Sequence, residues 1–279
     1  MLRIATLSSL VLLSVGLRPA QDPAAAQNPE PSPELERLVA TLAEQEVKLD
    51  ASRGIVSIPV DIDVRDDLLE YLLVGPSGAA HESVFVTPVK PSVLNAALIA
   101  LGAAPGTNAI WKPKSPPPSE IELRAGAPAY DVQVPQGDGF FLYAGWKRGE
   151  EVFFFRIEDL IRNLGTGQSM TRHQWVYLGS RMVESGRKGH EHEQQFAADL
   201  YQNLISVAFF SDGYPLLTGA LPECVDQHVW MANAWLLPER GTRVSLFLAR
   251  KRIDRLPVDL EAWLPAVATA KPPGPAGGK

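Results

Sequence analysis

Apolar and polar residues alternate through most of this chain with the two-residue period of β-strands, and two stretches keep helical spacing instead. The first opens at Ser32-Pro33, with Ser as N-cap, Pro at the first helical position, and Glu34 and Glu36 near the positive end. Leu35, Leu38, Val39 and Leu42 then make one apolar stripe. The second runs from Pro91 to Leu101, where Val93, Leu94, Ala97, Leu98 and Leu101 share a face and Gly102 ends the element. Strands are predicted around these helices. Val47–Asp50 and Ile55–Val64 form a hairpin about Asp50–Gly54, and Pro59 marks an edge or a bulge there. Tyr71–Val74 and Val84–Thr87 are separated by the turn former Gly75-Pro-Ser-Gly78. Beyond the proline loop Lys112–Ser119, strands are expected over 121–124, 130–134, 139–147, 151–156, 173–179, 204–210 and 242–249. Lys147–Glu151 turns a hairpin, and Glu158–Asn163 gives one or two helical turns. In the last strand Val244, Leu246 and Leu248 face one way and Arg243, Ser245 and Phe247 the other. No solenoid or propeller repeat is visible. This pattern predicts an α+β fold, a mostly antiparallel β-sheet with one central helix packed on it and an extra N-terminal helix.

The two ends depart from this texture. Arg3 is followed by an uncharged, mostly apolar run of 14 residues, Ile4–Leu17, and then by the small-residue cleavage motif Ala24-Ala-Ala26. Residues 1–26 therefore read as a signal peptide with Gln27 as the new N-terminus, and an uncleaved anchor is the alternative because one Arg is a thin positive region. The run is short of the roughly 20 residues that span a bilayer. No cysteine closely follows it, which excludes a lipoprotein anchor, and no stable membrane span is expected after cleavage. Residues 27–33 are a polar, proline-rich linker, 34–265 one folded domain and 266–279 a disordered tail. An exported protein, periplasmic or secreted, is the expectation.

Composition narrows the chemistry. The apolar share of 46% and charged share of 21% suit a chain with a sizeable core. Net charge is −6; removing residues 1–26 takes away Arg3, Arg18 and Asp22, a net +1, and leaves −7. Without a basic run, such a chain repels a phosphate backbone, so nucleic acid is not an expected partner. Cys224 is the single cysteine, so no intramolecular disulfide, four-cysteine zinc site or cysteine-ligated iron–sulfur cluster can form within the chain. It reads as a buried small hydrophobe, with a cross-link between two chains as the alternative.

Several blocks, taken in order, are similar to the YdjY-type domain of exported bacterial proteins. They are Glu70-Tyr-Leu-Leu-Val74, His81-Glu-Ser-Val-Phe85, Ala96–Gly102 with Pro105-Gly106, Trp175–Ser180, Ala198-Asp199 with Leu204–Val207, and Leu237–Val244. The resemblance covers roughly residues 47–250. It implies an exported domain and brings no established catalytic residues. Some relatives are described as ferredoxin-like, a role that needs several cysteines and that this chain departs from.

Of the polar clusters, His81-Glu82-Ser83 is the most suggestive. His81 is a candidate base or metal ligand, with Glu70 or Asp199 to orient it; the alternative is that these groups cap a strand after a glycine turn. Glu70, Ser83 and Trp111 are candidate ligand-binding residues. His190 and His192 are candidate metal ligands, although Gly189-His-Glu-His-Glu193 lies in a charged loop and lacks zinc-protease spacing. Gly165–Ser169 has no Lys and is not a phosphate loop, and no cofactor is expected. Six tryptophans raise sugar binding, with core packing as the competing role; Trp111, beside the proline loop, is the one expected to be exposed. Two functions follow. One is a non-catalytic binding or interaction domain of the cell envelope, its partner an envelope protein or a small ligand. The other is an envelope hydrolase or metal-dependent enzyme using His81, Glu82 and Asp199.

Overall fold

The computed structural model describes residues 33–184 and 192–268. The predicted signal peptide, most of the linker, His190 and the tail beyond 268 lie outside the described residues. Eight strands carry the fold: β1 (Ile55–Ile62), β2 (Tyr71–Val74), β3 (Ser83–Val86), β4 (Gly139–Arg148), β5 (Trp175–Tyr177), β6 (Asn203–Ser206), β7 (Leu217–Thr218) and β8 (Arg243–Ala249). They pair in the order β1-β8-β4-β5-β7-β6-β2-β3, and β3 returns to β1 through Asp61↔Val86 and Ile62↔Phe85. The sheet is therefore a closed barrel. Its pairs are antiparallel except β2–β3 and β6–β7.

This overturns the expected α+β sheet with a central helix on one face. The helix exists, as α2 (Pro91–Ala100) following α1 (Pro33–Glu44), but it covers one end of the barrel. Its main neighbours are α1, α4 (Ala197–Tyr201) and the end of β5, where Tyr177 Oη donates to Asn95 Oδ1 at 2.6 Å. No helix among the described residues is long and apolar enough to cross a membrane.

Pro59 explains how the ring closes. One edge of β1 pairs with β8 along its length, from Asp61↔Arg243 to Ile55↔Ala249. The other edge is shared: Lys48–Asp50 takes Ile55–Ser57, and β3 takes Asp61 and Ile62. Pro59 stands between these two partners, and its carbonyl accepts from Thr87 Oγ1 at 2.8 Å. In an antiparallel ladder a residue's N–H and C=O point to the same side, so the missing N–H faces the fork and costs no ladder bond. The expected edge feature is a fork in a central strand. β4 forks in the same way, pairing with β5 at Gly139–Phe140 and with strand Glu151–Arg156 at 143–148. At Gly139 a Cβ would come within 2.4 Å of the Trp175 carbonyl oxygen, so only glycine lets the two strands meet there.

The two-residue period is visible in the packing. Val56, Ile58, Val60, Val244, Leu246 and Leu248 join the main apolar cluster with Phe140, Leu142 and Trp146. Ile55, Tyr143 and Phe247, on the opposite faces, join a second cluster with Leu256, Leu260 and Leu264. A C-terminal strap thus buries the outside of β8, which is why that strand is apolar beyond simple alternation. Two local expectations are corrected. Ile121–Arg124 is helical, in α3 (Glu120–Arg124), because Ser119 and Glu122 form a capping box: Glu122 N donates to Ser119 Oγ and Ser119 N to the Glu122 carboxylate. Glu158–Asn163 is one 3-10 turn, Ile157–Leu160, followed by strand Ile161–Asn163. Cys224 is buried as expected, close to Gly219, and burial pushes its thiol up to about 12.

Removing the Thr87 hydroxyl tests the closure. Thr87→Val leaves the Pro59 carbonyl without its partner in a buried fork and is expected to cost about 1–2 kcal/mol in urea unfolding, whereas no loss would show that β1 and β3 hold without this bond.

Candidate functional site

The loop between strand Trp230–Ala232 and β8 is built around two inward leucines. Leu237 is buried and Leu236 packs against the core, which leaves the preceding Trp235 outside, 91% exposed. The turn is fixed from several sides. Leu236 N donates to Asn233 O, and Asn233 itself donates to Leu160 O through its backbone and to Asp159 O through its amide. Arg65 Nη2 donates to the carbonyls of Ala234 and Leu237 at 3.2 and 3.1 Å, and Nη1 pairs with Glu239 at 2.8 Å. The indole therefore projects into solvent from a turn tied down by several hydrogen bonds.

Facing it, the chain from Pro265 to Val267 runs beside the end of β4, with Lys147 N donating to Pro265 O and Val267 N to Lys147 O. Between these walls lies a groove of about 660 Å³ lined by Arg65, Arg148, Trp235, Glu239 and Arg243 among others. Arg65 is paired with Glu239, and Arg243 is bidentate on Asp61 at 2.6 and 3.0 Å. Arg148 has no ion-pair partner among the described residues. Its guanidinium carbon lies 5.4 Å from the Phe153 ring centroid, and its Nε is buried without a hydrogen bond.

A second cleft, of about 340 Å³, lies beside β4 and is lined by Phe141, Tyr143, Arg156, Arg172, His173 and Arg252 among others. Its charges are spent within the protein. Buried Glu158 accepts from Arg156 Nε and Nη2 at 2.9 and 2.6 Å, from Trp175 Nε1 at 3.1 Å and from His173 N at 3.3 Å. Arg172 is bidentate on Asp159, and Arg252 pairs with Asp254. His173 hydrogen-bonds Thr171 O at 3.0 Å, and burial pushes its pKa down, so Nδ1–H donates to that carbonyl in the neutral ring. Three guanidiniums and three carboxylates cancel here. The cluster ties the segment after Arg156 to the barrel, and His173 plays a structural part in it.

Scans against protein-family models, curated proteins and solved structures found no match.

The sequence candidates fall at opposite ends of the barrel. Glu70 and Glu82 come together where β2 and β3 begin, with Glu70 N donating to Glu82 O and their carboxyl groups hydrogen-bonded to each other. Burial, followed by the Glu82 charge, pushes Glu70 above the usual carboxylate range. His81 is exposed, its Nε2 3.4 Å from Glu82 Oε1. Ser83 is buried and donates to Phe85 O at 3.0 Å, a strand contact. Asp199 lies at the other end, in α4 before β6, where it accepts from Ser92 N at 2.8 Å and pairs with Lys90. It caps α2 and does not join His81 and Glu82. Trp111 is half-buried with its ring edge-on to Phe209, so the expectation of its exposure fails, and the exposed tryptophan is Trp235. His192 is exposed, and its predicted partner His190 lies outside the described residues. No group of three or more His, Cys, Asp or Glu side chains placed to hold a metal ion occurs among the described residues.

Sequence reasoning missed Trp235 and Arg148. A Trp within the turn-forming run Asn233–Gly241 was an available signal; the isolation of Arg148 was not, because it depends on which acids the fold brings near.

The Glu70–Glu82 contact makes a signed prediction. A carboxyl group whose folded pKa is raised contributes stability at low pH that is lost as pH rises through the folded value. Glu70→Gln is therefore expected to stabilise the protein at pH 7 by roughly 0.5 kcal/mol, the scale of a partly exposed charge contact, and to be neutral below about pH 4. Thermal unfolding at both pH values checks it; an equal effect at both would remove the like-charge explanation.

Proposed function

We propose that this chain is an exported binding domain of the bacterial cell envelope that holds its ligand at Trp235 and carries out no chemistry of its own. The observation that carries this is the 91% exposed indole on a turn immobilised by Arg65. Leaving an aromatic side chain of that size in water forgoes burial on the order of 3 kcal/mol, and fixing it in one place lowers the ordering cost when a ligand arrives. The separation of Asp199 from His81 and Glu82 argues against the hydrolytic alternative, which needs all three at one reacting atom.

Membership of the YdjY-type domains belongs to the same reading. The blocks that carry the resemblance supply β2, β3, α2, β5, β6 and the approach to β8, which supports treating the barrel as the family domain. The signal-like residues 1–26 support export, to the periplasm or beyond. A protein-binding face is a second reading, favoured by the arm between Thr107 and Gln136, on which Ile121 is 81% and Leu123 44% exposed.

One experiment separates the two faces. Mature protein immobilised in its wild-type, Trp235→Ala and Ile121→Glu forms is exposed to envelope extract and washed with salt. Retained material is expected to fall several-fold with Trp235→Ala and to persist with Ile121→Glu. Unchanged retention by Trp235→Ala sinks the groove reading, and loss with Ile121→Glu moves the binding face to the arm.

A further inference from the structure

We infer that the Trp235 groove takes an acidic polysaccharide, one sugar ring lying on the indole while that ring's carboxylate meets Arg148. The inference rests on the binding reading above and adds the ligand's chemistry. The charges decide the class. In the cleft beside β4 every guanidinium has its own carboxylate, so nothing there asks for an outside charge. In the groove, Arg65 and Arg243 are matched by Glu239 and Asp61, and Arg148 remains as one uncompensated cation. It is half-buried, and a partly desolvated guanidinium without a counter-charge is costly; the Phe153 face offsets only part of this.

The groove therefore offers one cation and one flat aromatic face within the same 660 Å³ space. A hexuronate unit matches both, presenting an apolar C–H face to the indole and a single planar carboxylate to the guanidinium fork. A space of about 660 Å³ has room for more than one such ring, which suits a chain of units. The rest of the protein argues against simple polyanion capture. The mature chain carries a net −7, and a ligand held by diffuse charge would be repelled. Screening over roughly 8 Å at physiological salt removes that repulsion while leaving a short-range contact to Arg148 in place.

The test uses defined probes with the mature protein at physiological salt. Oligogalacturonate is compared with an uncharged glucan oligomer of the same length, with polyglutamate and with vesicles containing anionic phospholipid, using quenching of tryptophan emission and affinity electrophoresis. Oligogalacturonate is expected to bind at least tenfold more tightly than the other three. Arg148→Gln is expected to reduce that preference over the neutral glucan to near one, and Trp235→Ala to abolish binding of both sugars. Trp235→Phe, which keeps an aromatic face, is expected to restore part of it. Equal binding of polyglutamate or vesicles overturns the ring-and-carboxylate assignment, as does a preference that survives Arg148→Gln. If oligogalacturonate fails to bind while Trp235-dependent retention from envelope extract persists, the ligand class is wrong and the binding face stands. If both fail, both are wrong.

Discussion

The fold depends on two residue pairs at the end of β1. Without Asp61↔Val86 and Ile62↔Phe85 the eight strands would form an open sheet with β3 and the end of β1 as free edges. With them, every barrel strand has a neighbour on each side, and α2 lies at an end beside α1, α4 and the end of β5. The fork at Pro59 makes closure compatible with the rest of β1. Proline between the two partners has no N–H to leave unpaired at the fork.

Closure also determines where polar chemistry can sit. The main cluster fills the barrel and the strap from Leu256 to Leu264 covers part of its exterior, which leaves the ion-pair network of Arg156, Arg172 and Arg252 in the cleft beside β4. Glu158 and Arg156 are buried together, and the carboxylate is tolerated because four hydrogen bonds, two of them from Arg156, satisfy it. Separation by the barrel's length explains why Asp199 and His81, adjacent in the logic of a catalytic site, serve a helix cap at one end and a carboxyl cluster at the other.

Much of the local structure was legible in the residues. The hairpin about Asp50–Gly54, β2, β3, α2 with its stop at Gly102, and the alternation of β8 all follow from periodicity and turn chemistry. Closure was not legible, because β3 pairs with β1 through only two residue pairs and β7 is only two residues long. Such short pairings leave no periodic trace. Ile121–Arg124 was misread as a strand although Ser119 and Glu122 hold the spacing of a capping box. At the site, adjacency in sequence favoured His81-Glu82-Ser83, while the groove draws Arg65, Arg148 and Trp235 from three distant segments.

The sealed thiol makes the folded and unfolded chains meet an oxidant differently. Cys224 sits beneath Gly219 with no route to solvent, so the folded chain offers oxidoreductases nothing to exchange with. In the unfolded chain the same sulfur is open to any oxidant or partner thiol. Wherever an oxidant is present, folding thus sets a kinetic race between burying one atom and losing it to mixed-disulfide chemistry.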